Sequence, residues 1–336
     1  MGESDFTWRD GERTIHFRAG VIGDSPEILA GHGWDSYELL TTERAMGAAS
    51  VALAEDAAAF HHVPPGPVNE VAARLFADVS ADNLVALGGG RVIDAAKAIA
   101  AVRGGRVAAL PTTLSGAEMT RIHRLPDERE AADGLVRPSV VLADPPVMVS
   151  LPEERLRASA MNALAHGADS LYTPLANPMS EHAALRGAKL IATALDKAPA
   201  KRDPAQLALG SVLCAYAIDS ALFAIHHVVC QTLVRTLRMP HAETNATMLP
   251  HTMEAMRPRA GKAMTALARA LGVKQAELRR RLMELGGGRR RLSDYGRADR
   301  EAIGAAVKGM LERPELGMTP DPPDEAELRA LVDAAW

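Results

Sequence analysis

The feature that most constrains this chain is a change of character at about residue 150. Before it, short apolar runs alternate with helical ones. "SYELLTT" (36–42), "DNLVALGGG" (82–90), "RVAALPTT" (106–113) and "SVVLADP" (139–145) read as strands that end in turn residues. "ERAMGAASVALAEDAAAF" and "VIDAAKAIAAV" between them read as alanine-rich helices. Continuous apolar runs bounded by glycine and proline predict a parallel sheet covered on both faces. Beyond the change no run reads as a strand. Amphipathic stretches such as "EERLRASAMNALAHGADSLYT" and "GKAMTALARALGV" follow one another, punctuated by proline and glycine. The predicted architecture is α/β plus all-α, with an open parallel-sheet domain over 1–150 and a helical domain over 151–336. Ligands of open sheets bind beyond the carboxyl ends of the strands, so the active site is expected in a cleft between the two domains.

Composition narrows the partners. Aromatic residues are 4% of the chain and the formal charge is −4, which argues against stacking on nucleobases or docking on an anionic membrane. Cys214 and Cys230 sit in apolar helical stretches and suit buried thiols in a reducing compartment. The N-terminal "MGESDFTWRDGER" carries no secretory pattern. The longest apolar stretch, "LALGSVLCAYAIDSALFAI", contains Asp219 and runs into His226, so it reads as a buried helix rather than a membrane span. A cytoplasmic protein acting on a small molecule is the expectation.

Gly88, Gly89 and Gly90 follow a strand and open a helix. Such a turn lets backbone N–H groups approach a pyrophosphate at a helix N-terminus, although glycines also serve turns that bind nothing. The spacing is GGGxxxDxxK, not the GxGxxG of the common dinucleotide fingerprint. Thr112 and Thr113 end the next strand, where their hydroxyls suit ribose or phosphate oxygens or cap the following turn. Thr41, Thr42, Glu43 and Arg44 follow the 36–42 strand, where ribose discrimination takes place in such folds.

In the second half, Asn162 and His166, His227 and Gln231, and His241 and Asn245 are each four residues apart. Residues at that spacing project from one helix face, so three segments can aim polar pairs at one point. Each pair alone reads equally as core histidine. Together, three imidazoles and the Asn162 amide oxygen form a set that suits Fe²⁺ or Zn²⁺.

The glycine turn with Asp94 and Lys97, "PTT…GAE", "MNALAH" and "HHVVCQTL…MPHAETNATMLPH" together resemble the iron-containing alcohol dehydrogenase superfamily, in particular its maleylacetate reductase branch. The resemblance runs from "FRAG" near residue 17 to "LRALVDAAW". It implies a Rossmann-like domain binding NAD(H) or NADP(H), a helical domain, a homodimer, and hydride transfer to a small carbonyl or keto acid. By resemblance Gly88, Gly89 and Gly90 cradle the pyrophosphate and Thr112 and Thr113 line the nicotinamide. His166, His227 and His241 match metal-ligand positions, with Asn162 where metal-dependent members have aspartate.

The chain departs from the pattern at the chemistry. "VCQ" replaces "LCH" and "HAETN" replaces "HAETH", so Gln231 and Asn245 stand at histidine positions tied to proton transfer. His226 is the neighbouring imidazole able to substitute for them. "FRAG" places Arg18 where the family has glycine, and "GGGR" places Arg91 beside the phosphates. Ala117 stands for a serine, and Asp321 stands for the arginine of "NPR". Two readings follow: a reductase whose arginines meet an extra phosphate, as in NADPH, or a repurposed member that has lost the dinucleotide and acts as a non-redox enzyme or binding protein.

Overall fold

The computed structural model describes residues 12–47 and 51–336. The polar N-terminal stretch and residues 48–50 lie outside the described residues. The chain divides into two compact units with the boundary between Leu151 and Pro152.

In the first unit six strands form one sheet: β1 (Thr14–Phe17), β2 (Glu38–Thr41), β3 (Ala59–His62), β4 (Asn83–Gly88), β5 (Arg106–Pro111) and β6 (Val140–Ala143). Their order is β1-β6-β5-β4-β2-β3, and every pairing is parallel. Side chains alternate between two cores. Leu40, Leu84, Ala86, Val107 and Ala109 enter one, while Leu39, Val85, Leu87, Ala108 and Leu110 enter the other. That two-residue period with both faces buried is why these strands read as unbroken apolar runs. The order reverses between β2 and β4, so the carboxyl ends of those strands flank the crevice where open sheets take ligands.

The predicted long helix after β2 does not reach its predicted end at Phe60. Helices cover Glu43–Met46 and Val51–Glu55, and the alanine-rich end, Ala59–His62, is instead strand β3. Backbone pairing to β2 overrides alanine's helix propensity there. The buried Glu38 carboxylate fastens the pair, 2.7 Å from His61 Nε2 while accepting from Ser80 N and Ala81 N. The edge strand β1 was likewise absent from the predicted strands.

The second unit holds no strand among its described residues. Three of its helices, Glu153–Ser170, Pro178–Leu195 and Pro204–Ala221, cross at glycines. A Cβ on Gly187 would stand 2.6 Å from Cys214 Sγ and 2.7 Å from Gly210 O, and one on Gly167 would stand 2.8 Å from the same sulfur. Both cysteines are free and buried. The long apolar stretch is the helix Pro204–Ala221, which breaks and continues as Ile225–Leu237 at 100°. No single described helix is long and apolar enough to cross a membrane.

Candidate active site

The break between those helices sets up the helical unit's polar cluster. Leu222 holds φ 59 and ψ −164, a region that is essentially glycine's and costs of order 1–3 kcal/mol. The Asp169 carboxylate offsets that cost. It accepts from the backbone N–H groups of Ala224, His226 and His227 at 3.0–3.3 Å, from His227 Nδ1 at 2.8 Å, and from the Tyr172 hydroxyl. Burial alone would push this carboxyl up, but the His227 hydrogen bond and nearby imidazoles hold it at about 2.

With its Nδ1–H given to Asp169, His227 presents Nε2 as a lone pair, and that atom is buried without a partner among the described residues. His166 stacks on the same ring, centroids 5.0 Å apart and planes 20° apart, and its Nδ1 is also unpartnered. Asn162 Oδ1, one helical turn before His166, is the third such atom. Burial and the neighbouring imidazoles push the His166 pKa well below the ordinary value, so its ring is neutral. The structure therefore brings together Asn162, His166 and His227 as three buried polar groups awaiting a partner.

The fourth predicted ligand, His241, is near enough for its charge to act on His166 and His226. His241 is the exposed first residue of the His241–Met256 helix. Among the described residues no three His, Cys, Asp or Glu side chains close round one point. The His166 and His227 rings are stacked, and both Asp169 oxygens are occupied. Asn162 Oδ1, His166 Nδ1 and His227 Nε2 are the donor atoms that would face a divalent ion.

His226 and Asn245 form a separate internal network. Asn245 Nδ2 donates to His241 O at 2.8 Å, which turns its Oδ1 to accept from His226 Nε2 at 3.0 Å. His226 Nδ1 lies 2.8 Å from the Thr252 hydroxyl. Burial, with His227 next, pushes the His226 pKa down to about 3. Both ring nitrogens are engaged and the ring is wholly buried, so His226 has no nitrogen left for a substrate. Gln231 instead meets Arg313, whose Nη2 donates to Gln231 Oε1 at 3.1 Å.

In the sheet unit, β2 and β4 pair with Thr41 opposite Leu87, which sets Thr42 beside Gly88. Thr42 Oγ1 caps the short helix after it by accepting from Ala45 N. Gly89 is the N-cap of the Gly90–Arg103 helix. A Cβ on Gly89 would lie 3.0 Å from Thr113 Cγ2, and one on Gly90 would lie 3.0 Å from Ser115 Cβ. The glycines thus let the loop after β5 close over the turn, and Thr112 N donates to Gly88 O at 2.9 Å. Thr112 Oγ1 is buried and unpartnered. Arg91 is exposed in the helix's first turn with no ion pair to a described residue. A cation there opposes the helix dipole, so an anion is what the position lacks. Phosphate chemistry fits this turn.

Three other predicted cofactor residues are placed differently. Lys97 is 0% exposed, and its ammonium donates to the carbonyls of Ala117, Thr120 and Ile122 at 2.9–3.2 Å, with Asp94 Oδ1 at 2.7 Å. Lys97 and Asp94 therefore clamp the loop rather than face a phosphate. Arg18 ends the edge strand β1 and pairs with Asp24. Three strand spacings, about 14 Å, separate β1 from β4. The sequence reading missed Asp169, Phe223, Arg313 and Glu118. A carboxylate inside "AHGADS", three residues after His166, was the available signal for Asp169.

Comparison with known proteins finds similarity to one family in both halves of the chain. The family model for iron-containing alcohol dehydrogenase matches residues 12–145, and that for the Fe-containing alcohol dehydrogenase family, C-terminal, matches 157–336. A maleylacetate reductase of Burkholderia cepacia is 37% identical over 225 residues, covering 64% of this chain and 63% of its own length. Another, from Sphingobium indicum, is 33% identical over 77% of each chain. The crystal structure of an iron-containing alcohol dehydrogenase from Corynebacterium glutamicum superposes with TM-score 0.87 at 30% identity, covering 98% of this chain and 96% of that one. The maleylacetate reductase of Agrobacterium tumefaciens gives 0.85 at 26%, covering 99% and 98%.

Proposed function

The chain belongs to the iron-containing alcohol dehydrogenase family, and from that premise we propose that it is an NAD(P)H-dependent reductase of a small oxo acid. The observation that carries this reading is the Asp169–His227 pair with its unpartnered Nε2 beside a neutral His166.

A nicotinamide supplies the hydride when bound. Gly88, Gly89 and Gly90 would hold its pyrophosphate at the helix N-terminus, with Arg91 adding charge and Thr42 and Thr112 offering hydroxyls. With hydride delivered to the carbonyl carbon, the C=O electron pair would move to oxygen, and that oxygen would take a proton that His227 Nε2 had first accepted from water. Asp169 steadies the imidazolium that gives it and fixes the ring's orientation, the role of a carboxylate behind a catalytic histidine. His166, in the tautomer protonated at Nδ1, would donate to that oxygen, and Asn162 Oδ1 would accept from the hydroxyl formed. No step is routed through a metal; Asn162, His166 and His227 would be the residues to hold one.

The buried free thiols support a reducing compartment, the cytoplasm, and a homodimer, which the family resemblance implies, is to be checked by light scattering. Calorimetric titration with NADH and NADPH, followed by assay with maleylacetate and a panel of oxo acids, tests the function. Saturable oxidation of one nucleotide is the expected result. Absence of binding by folded protein, or binding without turnover across the panel, overturns it.

A further inference from the structure

Arg313 lies between the helix Arg300–Leu311 and the turn Pro314–Met318. Its side chain is only 16% exposed. Nε donates to Glu315 Oε2 at 2.9 Å and Nη2 to Gln231 Oε1 at 3.1 Å. Of five guanidinium N–H groups these use two, and Nη1 has no partner among the described residues. The guanidinium carbon stands 6.0 Å from the Phe223 ring centroid, and that ring is 5.7 Å from the His227 ring. One phenyl ring thus neighbours both the guanidinium and the unpartnered imidazole.

Charge points the same way. Glu315 is held below the usual carboxylate range, chiefly by the Arg313 hydrogen bond and also by Arg235. Arg235 lies one turn beyond Gln231 on the same helix face. Glu315 thus faces two guanidinium groups. Gln231 matters because its amide oxygen orients Arg313 without cancelling its charge.

We propose that Arg313 is the residue that binds a substrate carboxylate and selects oxo acids over neutral carbonyl compounds. The carboxylate would pair with the Nη1–Nη2 edge, the carbon chain would lie on Phe223, and the carbonyl would meet the imidazole cluster. The proposal rests on the reductase reading, so its test includes a readout independent of turnover.

In full-length R313A and R313K, KM for maleylacetate would be measured beside KM for the nucleotide, and adipate binding would be titrated calorimetrically. Truncating one partner of a partly buried charge pair predicts that R313A weakens adipate binding and raises the oxo-acid KM by about 30- to 100-fold. Nucleotide KM and turnover of a neutral ester of the same acid would move less than about threefold. R313K, which keeps the charge without the fork, would recover part of the loss. Equal losses for acid and ester, or an unchanged KM for the acid, overturn the proposal while leaving the reductase standing. Loss of adipate binding in R313A, in a protein that binds no nucleotide, supports the carboxylate site and sinks the reductase.

Discussion

Two buried carboxylates decide most at the scale of single residues, and they titrate in opposite directions. Asp169 is held at about 2, so its stabilisation is present above the unfolded carboxyl value and is lost as pH falls toward about 2. Asp169→Asn removes the charge behind His227 and gives back an amide that competes for its Nδ1. We expect a loss of about 3 kcal/mol in urea unfolding, and a turnover loss larger than any change in nucleotide affinity. A variant as stable as the parent would show that the Asp169 network is not what offsets the strain at Leu222. Glu118 behaves oppositely. It is 0% exposed with both oxygens unpartnered, and burial, with Asp94 adding, pushes it up to about 7. A raised folded value means the stabilising neutral form is complete below the unfolded value and is lost as pH rises through about 7. Glu118→Gln, neutral at every pH, should gain on the order of 3 kcal/mol over the parent at about pH 8 and almost nothing at about pH 4. Melting curves at the two pH values check this, and a pH-independent difference would refute the assignment.

At the scale of elements, the helix that carries Asn162 and His166 is aimed by the glycine crossings around Cys214. Gly187→Ala would press a methyl against a sulfur and a backbone carbonyl, neither of which can swing away. Overpacking of this kind costs roughly 1–3 kcal/mol. Thermal melting should register that loss, and the stacking of His166 on His227 should loosen with it; an unchanged melt would mean the helices slide apart freely. Local pattern made some elements legible and hid others. β4 and β5 stood out because both of their faces are buried, and a doubly buried strand has no polar alternation to blur it. β3 was hidden because an edge strand draws its hydrogen bonds from a neighbour, β2, while its own residues continue an alanine-rich run. The helix after β2 was overextended for the same reason.

On the whole-molecule scale, the order of layers was readable because each half repeats one periodicity, two residues in the sheet unit and near 3.6 in the helical one. The family followed from motifs spread along the chain, and matching family models cover both halves. The candidate site was half readable. Spacing alone put Asn162 on the face of His166 and brought the glycine turn to the end of β4. It could not tell which polar atom would be left without a partner, because those partners are remote in sequence. Asp169 meets His227 across 58 residues, and Arg313 meets Gln231 across 82. For the same reason Lys97 looked like a cofactor residue until its three carbonyl partners in the following loop were in view. The sequence by itself determined the elements, their succession and the family, since these depend on neighbours within a turn or a strand. Only the tertiary structure decided which imidazole nitrogen is buried without a partner and which guanidinium meets Gln231, since a side chain's chemistry is set by what packs against it.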